Sequence, residues 1–314
     1  MDHAVCRGVE PARLAPGAQV RVVLQLLVTG VLVGGLYSLI ALPIVVLFKS
    51  SKAFNFAQGQ MLLLTAWLAW AFMVQLGFGV AGGLGAAVVV AAASGLVVER
   101  LALRPLVGQP LLASMIVTLA LGAFLSGVTL LFWGSRTTEV YPAFISSAPL
   151  RLGALVLSLE HVIAFAVAMT LIGLFSAVFR WTDWGLAMRA VAEDQQVAQV
   201  LGIDVTGVFR LVWMLAWVMA VAGGVLVASV NGVSLVLDAV AVKAFAVVLL
   251  AGLESVPGIL VAGPIIAVIE LFTGYYVDPL VGGGTTEIAP LVVLLIALLV
   301  RPYGLFGLRR IERI

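Results

Sequence analysis

The chain has 314 residues, 63% of them hydrophobic and 10% charged, with a net charge of +2 and a mean hydropathy of +1.21. Soluble domains carry roughly 45–50% apolar and about 25% charged residues, so 17 basic and 15 acidic side chains cannot solvate a 32.8 kDa surface. The composition excludes a soluble enzyme, a disordered chain and a nucleic-acid binder, and predicts an integral membrane protein.

Residues 1–20 read as a short N-terminal lead. The first apolar run is too long for a secretory core and ends in no small-residue cleavage site. Charge-free runs then locate the spans, since a bilayer core of about 30 Å needs roughly 20 apolar helical residues. Val22–Phe48 allows one pass, and Ala53–Val98 allows two, with the glycine-rich stretch Gln75–Gly85 as the turn between them. Pro105–Ser135, Val162–Phe179 and Leu211–Leu237 allow one pass each. Backbone groups must be satisfied within lipid, and no segment alternates like a barrel strand, so the spans are predicted as helices. Beyond residue 238 the runs shorten: Ala244–Leu253 and Ser255–Ile269 flank Glu254-Ser255-Val256-Pro257-Gly258, and Ile288–Val300 comes last. The expected fold is an all-α integral membrane protein of about eight or nine transmembrane or re-entrant helical segments. It occupies residues 21–308 as a single domain, with 309–314 as a tail. There is no convincing internal repeat. The pairs Gly34-Gly35, Gly82-Gly83 and Gly223-Gly224 suit close helix packing in lipid.

Basic residues in short loops set orientation. Arg301, Arg309, Arg310 and Arg313 place the C-terminus in the cytoplasm. Alternation then puts Arg180–Arg210, Glu99–Arg104 and Lys49–Lys52 inside, and Gly134–Leu155 outside. Eleven basic residues fall inside and two in that outer loop. Strict alternation leaves the N-terminus, with Arg7, Arg13 and Arg21, external and against the rule.

Polar residues at membrane depth are candidates for function. The densest group is Phe54-Asn55-Phe56-Ala57-Gln58-Gly59-Gln60, following Lys49 and Lys52, with Tyr37, Ser38 and Pro43 in the run before it. Two amides and a glycine among aromatics suit a broken helix lining a polar path. They equally suit an interfacial turn that caps the next helix. Lys243, Glu254 and Glu270 lie near apolar runs, Glu270 being the most isolated. A proton-coupled carrier would need such groups at depth, but structural roles account for them more simply.

The loop Arg180–Arg210 holds seven charged residues. Thr182 or Asp183 can cap a helix from Trp184 to about Val200, with Gly202 just past its end. Leu186, Ala190, Val197 and Leu201 recur at helical spacing, and Arg189 and Glu193 stand four apart. Glu193 and Asp194 interrupt the apolar stripe, which suits docking onto another protein as well as a plain connection. No partner histidine or metal-ligand spacing accompanies Glu193-Asp194. With one cysteine, Cys6, and two histidines, His3 and His161, the chain offers no disulfide framework and no cysteine or histidine metal cage. No cofactor is implied, and no cluster of catalytic polar residues suggests an enzyme. A GxxxxGK[ST] loop is absent from the sequence, so any ATP hydrolysis belongs to another chain.

Four segments together resemble a known family. Tyr37-Ser38-Leu39-Ile40-Ala41-Leu42 followed by Phe54-Asn55-Phe56-Ala57-Gln58-Gly59 is similar to the "YALIAL…INFAHG" segment of branched-chain amino-acid ABC transporter permeases, the LivH branch. Gly185-Leu186-Ala187-Met188-Arg189-Ala190-Val191-Ala192-Glu193-Asp194, with Ala198 and Gly202-Ile203, resembles its "GxAxRAxAED…A…GI" loop. Ala251-Gly252-Leu253-Glu254-Ser255-Val256-Pro257-Gly258 resembles "GGLGSIPG", and Arg301-Pro302-Tyr303-Gly304-Leu305-Phe306-Gly307 resembles "RPxGLFG".

The resemblance implies a permease subunit of the bacterial inner membrane. It would work with a second permease, two cytoplasmic ATP-binding subunits and a periplasmic substrate-binding protein. Arg189, Ala192, Glu193, Asp194 and Gly202 would couple to the ATPase. Tyr37, Asn55 and Gln58 would lie on the translocation path or touch substrate, and Pro257 and Gly258 would break a helix. Two positions depart from the family: Gln58 replaces its histidine and Glu254 its glycine. The implied solute is an amino acid, most readily a branched-chain one; urea and short amides are the alternatives within the same superfamily.

Overall fold

The computed structural model describes residues 16–52, 54–106, 109, 111–134, 136, 138–142, 149–152, 155–301 and 303–307. Arg7, Arg13, the tail 309–314 and Pro302 lie outside the described residues. In chain order the elements are α1 (Pro16–Ser51), α2 (Gln58–Trp70), α3 (Gly79–Val98), α4 (Leu111–Trp133), β1 (Thr138–Glu139), β2 (Pro149–Leu152) and β3 (Leu155–Ser158). There follow α5 (Leu159–Trp181), α6 (Asp183–Glu193), α7 (Gln195–Val200), α8 (Val205–Asn231), β4 (Val233–Ser234), α9 (Val240–Ala251), α10 (Val256–Tyr276), α11 (Asp278–Val281) and α12 (Thr285–Val300).

The helices coincide with the charge-free runs. Among the described residues, six segments are long and apolar enough to cross a membrane: α1, α3 with its extension to Leu106, α4, α5, α8 and α10. The chain is a multi-pass membrane protein. The helix α9, with 12 residues, is too short to span a bilayer core alone, and α2 has 13 before it passes into a π-helical segment.

The helix α1 is the centre of the bundle, packed against α5, α8, α9 and α10, and every residue from Leu36 to Leu47, Pro43 included, is buried. Small residues set the crossings. A side chain at Gly34 would meet the backbone of Pro264, and one at Gly263 would meet Ser38 Oγ and the Gly34 carbonyl, so α1 and α10 touch backbone to backbone. Ser38 Oγ donates across this contact to the Ile259 carbonyl at 2.7 Å. Gly95 sits 2.8 Å (from its ideal Cβ) to Met214 Cα, joining α3 to α8, and Gly224 approaches the Leu62 carbonyl, joining α8 to α2. Close approach raises dispersion contact where lipid supplies no hydrophobic drive between helices. Gly82 differs from its neighbour Gly83: its nearest contact is Phe78, within the same hairpin.

Gln25 near the start of α1 exchanges hydrogen bonds with the backbone of Val156 on β3, whereas Lys52, just past its end, pairs with Glu254. Arg21 therefore lies toward the strand-bearing end of the bundle, opposite Lys49 and Lys52, as the alternating topology requires.

Three expectations are revised. The turn between α2 and α3 is confined to Leu76–Phe78, after the last turn of α2 widens into a π-helical Ala71–Gln75; Gly82, Gly83 and Gly85 are helical, because apolar neighbours on both sides carry the helix through them. The segment between α4 and α5, expected outside, is partly extended: β1 pairs antiparallel with β4 (Thr138↔Ser234) and β2 with β3 (Pro149↔Ser158). The predicted helix Trp184–Val200 is two helices, for a reason visible at Asp194.

Candidate functional site

The chain breaks twice at polar segments, and the first break follows α1. Lys52 adopts a left-handed φ of 56°, its N–H still donating to the Phe48 carbonyl at 2.8 Å, which ends the helix. Asn55 then closes a turn: its Oδ1 accepts from the Ala57 N–H at 3.1 Å and its Nδ2 donates to Gln58 Oε1 at 3.3 Å. Thr118 of α4 bridges the strip, donating to the Phe54 carbonyl at 3.2 Å and accepting from the Phe56 N–H at 3.4 Å. Phe54 and Phe56 pack on Phe245 of α9, with centroids 5.2 and 6.0 Å away. Asn55 and Gln58 are thus brought together, but both are completely buried and serve the turn. Gln58 Nε2 has no hydrogen-bond partner among the described residues. Tyr37 joins a different group, its hydroxyl donating to Glu270 Oε2 at 2.9 Å.

The second break lies between α9 and α10. Gly252 ends α9 with φ 96°, and Ser255 Oγ caps α10 by accepting from the Gly258 N–H at 3.0 Å. Pro257 occupies the first turn of α10, where its missing N–H costs nothing. A Cβ on Gly258 would stand 2.9 Å from the Ala251 carbonyl. The C-terminal segment docks on the end of α9: the Leu305 and Phe306 N–H groups donate to the Leu250 and Ala251 carbonyls at 2.8 and 3.0 Å. These bonds satisfy carbonyls that the helix end leaves orphaned. Gly252 and Gly304 both take positive φ and meet face to face, a Cβ on Gly304 falling 2.6 Å from the Gly252 nitrogen.

The helices α6 and α7 form the third feature. Thr182 Oγ1 accepts from the Gly185 N–H at 3.2 Å and starts α6. A side chain at Gly185 would meet the Phe179 carbonyl, so glycine allows the tight corner from α5. Arg189 donates to that carbonyl and lies over the Phe179 ring, 5.5 Å from its centroid. It makes no ion pair with Glu193, against the expectation from spacing, because the guanidinium is already held by α5. At Asp194 the backbone turns extended (φ −153°, ψ 116°), and its Oδ1 accepts from the Gln196 and Val197 N–H groups at 2.8 and 3.0 Å. Asp194 is therefore a cap that starts a second helix, which is why one rod became two. Gly202 takes φ 82° after α7, as a C-terminal glycine does.

The buried face of this pair is Met188, Val191 and Ala198. The apolar stripe read from spacing points the other way: Leu186, Val197 and Leu201 are exposed, together with Val200, which is 87% exposed. Ala192 is half-buried, and Glu193 and Asp194 are exposed.

Three of the four recognised segments meet at one cavity of about 630 Å³ on the α6–α7 side, joined there by two lysines that lie between the halves of the first. Lys49 and Lys52 enter from α1, Arg189, Ala192 and Glu193 from α6, Glu254 to Pro257 from the second break, and Phe306 from the C-terminal segment. Lys52 pairs with Glu254 at 2.7 Å, so the charge that departs from the family pattern has a partner here. Lys49 Nζ lies over Phe179, 4.9 Å from the ring centroid, on the ring that Arg189 also contacts. No spacing signal pointed to Phe179. Glu270 is not isolated either: Lys243 Nζ is 2.7 Å from its Oε1 and 3.4 Å from Glu287 Oε1.

Six helices long and apolar enough to cross a membrane, with polar breaks between the shorter ones, define a multi-pass helical membrane protein in class. The chain belongs to the family described as "Branched-chain amino acid transport system / permease component", which matches residues 26–300. It is 27% identical over 305 residues to the high-affinity branched-chain amino acid transport system permease protein LivH of Salmonella typhimurium, covering 93% of this chain and 97% of that one. The corresponding protein BraD of Pseudomonas aeruginosa is 26% identical over 93% of this chain and 98% of its own. A probable LivH of Methanocaldococcus jannaschii is 28% identical over 88% and 90%.

Proposed function

We propose that this chain is the membrane-spanning permease subunit of an ATP-binding-cassette importer for amino acids, branched-chain ones foremost, in the bacterial inner membrane. It forms the translocation path with a second permease, receives solute from a periplasmic binding protein, and is driven by two cytoplasmic ATP-binding subunits. The observation that carries this reading is the α6–α7 element, anchored by Met188, Val191 and Ala198 while it presents Leu186, Val197, Val200 and Leu201 outward. A helix pair that is apolar on both sides needs a second surface to cover it.

Arg189 fastens α6 to the end of α5, so a displacement of the pair moves α5, and through the Phe179 ring it reaches Lys49 on α1, across the cavity from Ser255–Pro257 at α10. Ala192, Glu193, Asp194 and Gly202 shape the surface that the ATPase grips. Pro257 and Gly258 supply the break about which α10 meets α9. Asn55 and Gln58 hold the first break beside the path, and Tyr37 holds α1 to α10.

The test is to purify the assembly through this chain from its native membrane and reconstitute it. Co-purification of two ATPases and a second permease, with ATP-dependent amino-acid uptake, is the expected result. Replacing Glu193 by Ala and Gly202 by Val together should abolish ATPase association and uptake. Uptake by this chain alone under a pH gradient would instead establish a proton-coupled carrier, and uptake restricted to urea or short amides would reassign the solute.

A further inference from the structure

The strip after α1 re-enters the bundle. Phe54 and Phe56 bond to Thr118, and a Cβ on Gly122 would stand 3.1 Å from Gln60 Oε1. These α4 residues stand about 10 and 16 Å along a helix of roughly 34 Å, at 1.5 Å per residue. The start of α2 therefore lies at mid-depth. The start of α9 lies beside it: a Cβ on Gly59 would be 2.8 Å from the Asp238 carbonyl and 3.0 Å from Ala241 Cβ. Only glycine lets these two backbones come so close.

At this level Gln60 Nε2 donates to Asp238 Oδ2 at 3.4 Å. Both residues are partly exposed, and Ala239 and Val242 beside them are exposed. No cation lies within 4 Å of Asp238 among the described residues. Lys243, one turn into α9, is already shared by Glu270 and Glu287. An ionisable side chain at this depth faces a bundle interior or a watered path, not acyl chains. Asp238 is on the surface of this chain, so the surface around it is the wall of such a path.

We propose that Asp238, held by Gln60, is the mid-membrane contact for the cationic group of the passing solute, the α-ammonium of an amino acid. The assignment rests on the amino-acid importer reading and adds a contact point to it. A lone carboxylate with one weak amide donor keeps most of its acceptor capacity free, as a transient ammonium contact requires. The amide of Gln60 orients it without neutralising it.

The experiment uses the complete reconstituted assembly, with ATP hydrolysis stimulated by the loaded binding protein measured beside leucine uptake. Asp238→Asn should lower uptake at least tenfold while assembly and stimulated hydrolysis persist, and Asp238→Glu should retain most uptake. In a Cys6→Ser background, Ala239→Cys should react with a membrane-impermeant cationic thiosulfonate, and saturating leucine should slow that reaction. Unchanged uptake by Asp238→Asn, or an unreactive Ala239→Cys in both nucleotide-free and ATP-bound assemblies, overturns the proposal. Loss of uptake and hydrolysis together in Asp238→Asn with equal loss in Asp238→Glu marks a structural role and overturns it too. If the wild-type assembly imports no amino acid, the importer reading falls and takes this assignment with it. If the wild type imports leucine and Asp238→Asn does so equally, only the assignment falls.

Discussion

Lys243 on α9 reaches 2.7 Å from Glu270 on α10, and both side chains are nearly nine-tenths buried. Tyr37 of α1 donates to the second oxygen of the same carboxylate, so one acid ties three helices together. Removing one partner of a buried pair strands the other charge and costs about 3–5 kcal/mol, whereas replacing both by apolar groups is often neutral. Glu270→Gln and Lys243→Met should each lower the thermal unfolding midpoint in detergent strongly. The double variant Lys243→Met/Glu270→Met should be more stable than either. A double variant as unstable as the sum of the singles would show that the two side chains act independently.

The α1–α10 crossing predicts a size limit. Gly34→Val places a branched side chain against the backbone of Pro264, which cannot yield as a flexible side chain would. Overpacking of this kind costs about 1–3 kcal/mol. Gly127→Ala on α4, where a Cβ meets nothing within 4 Å, should leave the unfolding midpoint within error of wild type. Equal effects at the two positions would remove the packing explanation.

The exposed tip of the α6–α7 pair predicts a binding defect without a folding defect. Leu201 is 72% exposed, so Leu201→Ser should change stability by less than about 0.5 kcal/mol. A central apolar contact is worth roughly 2 kcal/mol in an interface, or about thirtyfold in affinity. Pull-down of the ATP-binding subunits by Leu201→Ser and Val200→Ser, set against thermal midpoints of the isolated chain, separates the two effects.

Asp204 predicts a pH dependence. It caps α8, accepting from the Thr206 hydroxyl at 2.6 Å and the Gly207 N–H at 3.0 Å. Those hydrogen bonds, the Thr206 one foremost, with Arg210 adding to them, hold its carboxyl below the usual carboxylate range. A carboxylate depressed in the folded state adds stability that is present above the unfolded value and is lost as pH falls through the folded one. The midpoint difference between wild type and Asp204→Ala should therefore be largest near neutrality and vanish in acid. A difference independent of pH would mean that the cap does not depend on charge.

The spans were legible because charge is excluded from lipid: α5 overhangs Val162–Phe179 by only a few residues at each end, and α12 and Ile288–Val300 share their C-terminal limit. The first break was harder to read. The uncharged run from Ala53 to Val98 shows no difference in composition between a strip at the surface and one at mid-depth. Depth came from Thr118 and Gly122, which are distant in sequence. Pairings such as Lys243 with Glu270, or Lys52 with Glu254, leave no mark on local periodicity. The split at Asp194 was half-visible. The residue was read as an interruption of a stripe, and only the extended backbone reveals it as the first residue of a new helical register. The family segments stand far apart in the chain; the meeting of three of them around a single cavity is a property of the fold alone.

A continuous rod through a membrane is a lever: tilting one end tilts the other. Here α2 and α9 begin side by side near the middle and run toward opposite ends, each stopping short of the full thickness. Neither can carry a tilt from face to face. Between these two short helices alone the bundle has no continuous rod, while α1, α3, α4, α5, α8 and α10 run through the same level, and α9 is clamped through Gly252 to the C-terminal segment.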